Sequence, residues 1–385
     1  MGKECIKVTY ELTTQLETPQ RSVELLLAEM TSGIQYVATP GGVKMGRVSD
    51  SVPFVDDSVN GEVLSVEHQD EGSLLVTYSI PASNFDMGLG GLTNLWPVVA
   101  GEVFNFHFIR KSKLLELELP PSFESYYKGP RFGTAGMRAL LKREDGPVFG
   151  AIIKPNLGLT PEKTADVTAI LAKAGFDFVK DDEISVSPRL CPLKERVSLV
   201  ARTLDDLAQQ TGKKMLFAAN VTSDFATLGK AARTALQAGA GGLMIDPFCA
   251  GFSSIDFLRR NFGAPIYVHR VGYGLFCLGP TYSISYEVFT KLFRLLGADF
   301  SHVGGIWGKS QAARKKTNAY LDILRQKASV PETWPVVTGI SLENMAEYHA
   351  FYGDDTMFMD HIDIYNDEES SKKKLMDLKN TFAQE

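Results

Sequence analysis

The apolar residues from Gly150 onward form short runs, and the residues between these runs have the spacing of amphipathic helices. The candidate buried strands are 150–153, 176–180, 215–220, 241–246, 266–269, 300–304, 335–338 and 356–360. Between the first two, Thr160 and Pro161 suit the cap and the first residue of a helix, and Gly175 suits its end. Eight strands that alternate with helices predict a closed (β/α)8 barrel.

The chain before about Pro120 has a different pattern. Segments 6–12, 61–68 and 73–80 alternate apolar and polar residues as antiparallel strands do, and 21–30 has helical spacing. We therefore predict an α/β protein of two domains. A smaller N-terminal α+β domain of the ferredoxin-like type spans 1–120, and a TIM-barrel catalytic domain spans 121–385.

Composition and charge exclude several classes of function. The 385 residues include 40 basic and 46 acidic residues, which give a net charge of −6. Since no basic stripe with interleaved aromatic residues occurs, we expect no nucleic-acid partner. No apolar run approaches the roughly 20 residues of a membrane span, and the N-terminus has no apolar signal core. The four cysteines are scattered without CxxC spacing, which favours a reducing compartment. We expect a cytoplasmic protein without a membrane partner.

The tetrapeptide 180–183, Lys-Asp-Asp-Glu, closes the apolar run that ends at Val179. Barrel enzymes carry their active sites at the C-terminal ends of the strands, and carboxylates there are typical of a site for a hard cation. Alternation along an extended chain places Lys180 and Asp182 on one side, with Glu183 within reach from the loop. Three oxygen ligands follow only if Lys180 is converted by CO2 to a carbamate. For the tetrapeptide alone, a solvated charge run after a strand remains the alternative.

Other polar residues also follow predicted strands. They are Lys154, Asn220, His269, Arg270, His302, Thr338 and His361. A lone histidine in such a place is more often structural than catalytic, but packing does not explain the convergence of lysines, carboxylates and imidazoles. Loop 304–310 adds flexible glycines and Lys309.

Together with 150–159 (GAIIKPNLGL), these motifs resemble the ribulose-bisphosphate carboxylase superfamily. Segments 129–133, 269–270, 308–309 and 338–339 fall in the family's order, and the resemblance covers about 29–355. It implies Mg2+ bound by carbamylated Lys180, Asp182 and Glu183, with CO2 needed for the carbamate. It also implies catalytic roles for the lysines at 154, 180 and 309 and for His269, with Lys309 on a mobile lid that closes on the substrate.

The resemblance further implies a homodimer, or an assembly of dimers, with active sites at the subunit interface. Glu29 and Asn94 match residues of the N-terminal domain that complete the site of the neighbouring subunit. Asn94 is expected to contact the metal-bound substrate, and Glu29 to pair with Lys309.

Departures from the family pattern concern the phosphates of the substrate. Arg270 and His302 match one phosphate site. At the other, Ile340 and the segment 359–362 replace glycines, and Ile34 and Gln35 replace a threonine and a tryptophan. Side chains, including that of the aspartate at 360, are expected to fill the second phosphate site. Asn156 stands where carboxylases have a second lysine.

These departures predict a RuBisCO-like protein that does not act on a bisphosphate. We expect a phosphorylated sugar acid as substrate, held by Arg270 and His302 at its phosphate and placed near Lys309, Thr338, Gly339 and His361 at its other end. The expected reaction is decarboxylation or transcarboxylation of a 3-oxo sugar acid phosphate of the kind formed in apionate breakdown, through a metal-stabilised enediolate. The alternatives are an enolase or isomerase of a methylthio-sugar phosphate, a non-catalytic binding protein, and a Schiff-base aldolase.

Overall fold

The computed structural model describes residues 4–16, 18–40, 42–48, 56–306, 314–360 and 367–381. The chain divides into two compact units, one of Met1–Tyr127 with Tyr273–Phe289 and one of Lys128–Gly272 with Thr290–Glu385. Within the described residues, no helix combines the length and the apolar character that crossing a bilayer requires.

The strands and helices are numbered here in chain order. The strands are β1 (Cys5–Thr14), β2 (Ile34–Thr39), β3 (Gly42–Arg47), β4 (Glu62–His68), β5 (Leu74–Pro81), β6 (Ile109–Glu118), β7 (Val148–Ile152), β8 (Phe178–Lys180), β9 (Leu216–Asn220), β10 (Gly242–Ile245), β11 (Ile266–Val268), β12 (Tyr282–Ile284), β13 (Phe300–His302), β14 (Trp334–Thr338) and β15 (Met357–Asp360). The helices are α1 (Pro19–Glu29), α2 (Gly91–Ala100), α3 (Pro121–Tyr126), α4 (Gly133–Leu141), α5 (Pro161–Ala174), α6 (Leu193–Thr211), α7 (Phe225–Gln237), α8 (Pro247–Ala250), α9 (Ser253–Asn261), α10 (Tyr273–Cys277), α11 (Tyr286–Leu296), α12 (Arg314–Arg325), α13 (Met345–Tyr352) and α14 (Glu368–Asn380).

The first unit is built on a five-stranded sheet in the order β12-β6-β1-β5-β4. Strands β1, β4, β5 and β6 pair antiparallel, as their alternating sequences predicted for β1, β4 and β5. Along β1, Ile6, Val8, Tyr10 and Leu12 are buried while the residues between them are more exposed, so one face of the sheet carries the core. Strand β12 joins the sheet from far along the chain, pairing parallel with β6 at Tyr282 and Ser112.

The second unit is a closed parallel barrel in the order β7-β8-β9-β10-β11-β13-β14-β15, with β15 pairing back onto β7. This confirms the predicted (β/α)8 fold. The predicted helix after the first barrel strand is confirmed as α5: the Thr160 side chain accepts a hydrogen bond from the Lys163 N–H, and Gly175 ends the helix in the left-handed conformation with φ 100°.

Side chains fill the barrel interior. The rings of Phe178 and Tyr267 stack with centroids 5.4 Å apart, and Phe178 lies at the same distance from Phe300. Gly150 is needed here because a Cβ atom at this position would lie 2.3 Å from the sulfur of Met359. The interior is therefore a packed core, and reactive groups are confined to the ends of the strands.

Candidate active site

Lys180 ends β8 and is fully buried. Its Nζ donates to the Asp181 carbonyl at 3.0 Å and lies 3.6 Å from Oε2 of Glu183. Burial lowers the pKa of Lys180, although the nearby carboxylates of Glu183 and Asp182 oppose the shift. A lower pKa increases the fraction of neutral amine, which is the form that reacts with CO2 to give a carbamate.

Lys154 follows β7, and Asp182 follows the neighbouring strand β8. The Nζ of Lys154 donates to Oδ2 of Asp182 at 2.6 Å and to Oδ1 of Asn156 at 2.7 Å. Asp182 is buried, whereas the Lys154 side chain is 27% exposed. The amine therefore lies next to the carboxylate but remains open to the mouth of the barrel, where a substrate could reach it.

His269 follows β11 and faces the same cluster. Its Nε2 lies 3.8 Å from Oε2 of Glu183, and its Nδ1 lies 3.0 Å from Oδ1 of the buried Asp246. Burial lowers the pKa of His269; Lys180 adds to this shift and Asp246 opposes it. Nδ1 therefore lies next to an acceptor, Oδ1 of Asp246, and next to a donor, the Val271 N–H at 3.2 Å.

The ligand set for a cation is incomplete without chemical change at Lys180. Among the residues that the structure describes, no group of three or more His, Cys, Asp and Glu side chains is arranged to hold a metal ion. Asp182 and Glu183 contribute two carboxylates, and a carbamate on Lys180 would supply the third anionic oxygen ligand. With that addition the donors are all hard oxygens, which fits Mg2+.

His302 and Arg270 lie on the side of the barrel mouth formed by β11 and β13. The Nε2 of His302 is 2.5 Å from the Tyr267 hydroxyl, and the rings of His302 and His269 are 4.7 Å apart. Burial lowers the pKa of His302 well below its usual value, and the neighbouring His269 and Arg270 lower it further. His302 is therefore neutral at pH 7, so Arg270 provides the fixed positive charge.

Gly304 allows the Arg270 guanidinium to pack against the chain that leaves β13. A Cβ atom on Gly304 would lie 2.6 Å from Nη2 of Arg270, and its φ of +81° also favours glycine. The Gly304 carbonyl accepts a hydrogen bond from the Tyr352 hydroxyl at 2.8 Å. Gly304 thus leaves open the space that the Arg270 guanidinium occupies.

At the end of β14, Thr338 is partly exposed and Gly339 adopts φ +80°. The Gly339 carbonyl accepts from Nδ2 of Asn344 at 3.0 Å, and Ile340 is buried. Ile340, which stands where the family pattern has a glycine, is therefore packed inside the protein.

The expectation for Asp360 was wrong. Met357 and Met359 point into the barrel core, whereas the ring of Phe358 packs against Tyr352 of α13, so alternation turns Asp360 outward. Its Oδ2 lies 2.9 Å from Nζ of Lys374 on α14. The aspartate consequently does not fill a phosphate site at the barrel mouth.

The remaining predicted site residues are Lys309, His361, Glu29 and Asn94. Lys309 and His361 lie outside the described residues. Glu29 and Asn94 belong to the first unit, where Oε2 of Glu29 accepts from the Ile34 N–H at 3.1 Å and Asn94 is exposed on α2.

Sequence reasoning gave no role to Asp181 and Asp246, two buried carboxylates of the second unit. Asp246 binds His269, and Asp181 binds Nη2 of Arg196 at 2.9 Å. The position of Asp246 directly after the strand β10 was the available signal, because the other site residues also follow strands.

The fold and site define a class of protein: a (β/α)8 barrel whose strand ends bring together two lysines, two carboxylates and an imidazole. Residues 133–354 match the family described as ribulose bisphosphate carboxylase large chain, catalytic domain. The match covers more than half of the chain, and the chain therefore belongs to this family.

Two relatives and one solved structure agree with this assignment. The chain is 32% identical over 320 residues to the 3-oxo-isoapionate-4-phosphate transcarboxylase/hydrolase of Xanthobacter autotrophicus, covering 80% of this chain and 75% of that protein. It is 33% identical over 307 residues to the 3-oxo-isoapionate-4-phosphate decarboxylase of Rhizobium etli, covering 77% and 72%. The crystal structure of a rubisco-like protein from Burkholderia fungorum matches with a TM-score of 0.83 and 25% identity, covering 99% of this chain and 94% of that one.

Proposed function

We propose that this protein is a decarboxylase or transcarboxylase of a phosphorylated 3-oxo sugar acid and does not carboxylate ribulose bisphosphate. The observation that carries the proposal is the convergence of Lys154, Lys180, Asp182, Glu183 and His269 at the ends of three barrel strands. The relatives that act on 3-oxo-isoapionate-4-phosphate support the choice of substrate class.

In this proposal Lys180 as a carbamate, with Asp182 and Glu183, would hold Mg2+. When bound, the ion supplies a Lewis acid that stabilises negative charge on two adjacent substrate oxygens. The depressed pKa of the buried Lys180 supports carbamate formation.

Lys154 would act as the proton donor. Loss of CO2 breaks the bond between the carboxylate carbon and its neighbour, and the electron pair remains on that neighbour as an enolate. The Nζ of Lys154, placed by Asp182 and Asn156 at 2.6 and 2.7 Å, would then give its proton to this carbon. His269 is the alternative proton carrier, since its Nε2 faces the cluster, 3.8 Å from Oε2 of Glu183.

Arg270 would bind the substrate phosphate through charge-assisted hydrogen bonds, and His302 would add a neutral hydrogen bond. At the opposite end, Lys309, Thr338, Gly339 and His361 would receive the carboxylate end of the substrate. The buried Ile340 supports a smaller group there than a second phosphate, because its side chain occupies a position where a backbone nest would need glycine.

We also propose a homodimer in which Glu29 and Asn94 complete the site of the neighbouring subunit, and a cytoplasmic location. The exposure of Asn94 on α2 is compatible with contact to a second chain. Analytical ultracentrifugation tests the dimer, and Asn94→Ala is expected to lower turnover without changing the mass of the assembly.

The test of the reaction is CO2 release. The purified protein, incubated first with bicarbonate and Mg2+, is expected to release CO2 from 3-oxo-isoapionate-4-phosphate and to incorporate no labelled CO2 into ribulose bisphosphate. Incorporation above background would overturn the proposal. Isomerisation of a methylthio-sugar phosphate without CO2 release would instead establish the enolase or isomerase alternative.

A further inference from the structure

Asn220 is the last residue of β9, and its fully buried side-chain amide connects two main-chain segments. Its Nδ2 donates to the carbonyl of Asp182 at 3.1 Å and to that of Glu183 at 2.9 Å. Its Oδ1 accepts from the Thr222 N–H at 3.0 Å. Since the amide oxygen faces a donor and the nitrogen faces two acceptors, these partners define the orientation of the amide.

Asp181 connects the same region to α6. Its Oδ2 accepts from the main-chain N–H of Asn220 and from Nη2 of Arg196, both at 2.9 Å. Arg196 is buried and also donates to the carbonyls of Cys191 at 2.9 Å and Val186 at 2.8 Å. The loop that follows Glu183 is therefore held by hydrogen bonds at its start and along its length.

The hydrogen bonds continue from Asn220 to the imidazole of the site. Thr222, whose N–H binds Asn220, donates through Oγ1 to Oδ2 of Asp246 at 3.2 Å. The other carboxylate oxygen of Asp246 binds Nδ1 of His269 at 3.0 Å. One hydrogen-bond network thus joins the main chain of Glu183 to His269. Asn220 is the residue of this network that binds the main chain of Asp182 and Glu183.

We propose that Asn220 is a positioning residue that fixes the main chain of Asp182 and Glu183, so that the carboxylate of Glu183 lies beside Lys180 and that of Asp182 beside Lys154. This inference rests on the proposed cation site. Removing the amide takes a donor from two carbonyl groups, and the loop must shift to regain donors from elsewhere. A shift of the loop moves the carboxylates away from these lysines without altering any of the three ligand side chains.

Cation binding tests the proposal directly. Mg2+ affinity is measured by isothermal titration calorimetry in bicarbonate buffer for wild type, Asn220→Ala and Asn220→Ser. We expect the alanine variant to bind Mg2+ 10- to 100-fold more weakly, which is the usual effect of removing a residue that orients metal ligands. The Mg2+ affinity of the serine variant should lie between those of wild type and the alanine variant, because the serine hydroxyl can donate only one hydrogen bond.

Thr333→Val is the matched control. Thr333 is fully buried, and its Oγ1 donates to the Ala298 carbonyl at 2.7 Å, directly before β14 and therefore at the opposite end of the barrel from the site. This variant, like Asn220→Ala, loses a buried hydrogen bond from a side chain to the main chain. Because Thr333 does not orient the proposed metal ligands, the Mg2+ affinity of the control should stay within about twofold of wild type.

The proposal is overturned if both Asn220 variants bind Mg2+ as tightly as wild type while their melting temperatures fall as in the Thr333→Val control. That result would show that the role of Asn220 is purely structural. If the alanine variant does not fold, the serine variant gives the same comparison. A wild type that binds Mg2+ but releases no CO2 from the sugar acid refutes the proposed substrate and leaves the role of Asn220 intact. A wild type without Mg2+ affinity overturns both.

Discussion

Arg196→Met should destabilise the barrel strongly, because it leaves a buried carboxylate without its cation. Arg196 and Asp181 are 1% and 2% exposed, and their closest atoms are 2.9 Å apart. Methionine keeps much of the apolar volume but removes the charge and the donors to the Cys191 and Val186 carbonyls. Breaking a buried pair on one side typically costs about 3–5 kcal/mol, and we expect a loss of that size in the free energy of unfolding, measured by urea denaturation at pH 8.

The loss should depend on pH in a defined direction. Burial raises the pKa of Asp181, and Arg196 is the largest influence that opposes the rise. In the variant the folded-state pKa of Asp181 therefore rises further above its unfolded value. A carboxyl group with a raised folded-state pKa stabilises the fold most at low pH, where it is protonated in both states, and this contribution is lost as pH rises through the folded-state pKa. The deficit of Arg196→Met should accordingly be smaller at pH 5 than at pH 8.

A second substitution separates the charge effect from packing. Asp181→Asn combined with Arg196→Met removes both charges, and we expect the double variant to be more stable at pH 8 than Arg196→Met alone. A deficit below about 1 kcal/mol, or one that does not change between pH 5 and pH 8, would refute the view that Arg196 compensates a buried charge.

Three further predictions concern other parts of the barrel. Lys180→Ala should abolish the bicarbonate dependence of Mg2+ binding seen by calorimetry, and full affinity and turnover in this variant would contradict the carbamate. Arg270→Ala should raise KM for the phosphorylated substrate in steady-state kinetics by a factor that corresponds to a few kcal/mol of lost binding free energy. Lys154→Ala should mainly lower kcat, because proton transfer matters in the transition state. An unchanged KM in Arg270→Ala would reverse the proposed orientation of the substrate. Burial raises the pKa of Asp299 to about 6, although hydrogen bonds from three main-chain N–H groups oppose the rise. The contribution of this carboxyl group to the free energy of unfolding is therefore complete below about pH 4 and is lost as pH rises through about 6. The stability advantage of wild type over Asp299→Asn in urea denaturation should therefore fall by about 3 kcal/mol between pH 4 and pH 8, and a constant difference would show that the pKa is not raised.

The sequence alone was sufficient to locate the barrel strands and the residues that end them. Each barrel strand is a short apolar run because both of its faces are covered, and this burial is visible in the local sequence. Parallel strands of one barrel present their C-terminal ends on one face. The contact of Lys154 with Asp182, and the approach of His269 to Glu183, therefore follow from their positions directly after the strands.

Only the tertiary structure decided which way several of these side chains point and what they contact. Asp181 and Asp182 are adjacent and chemically identical, yet packing of α6 gives Arg196 to the first, while the second binds Lys154. Asp360 turns outward because the neighbouring methionine Met359 occupies the barrel interior.

The pairing of β12 with β6 joins residues 170 positions apart, Tyr282 with Ser112, and no local pattern indicates it. The apolar and polar residues of a local segment indicate which positions are buried and with what period buried positions recur. The choice of partner between distant segments depends on which surfaces fit together once the elements have formed, so it is decided only when the chain packs.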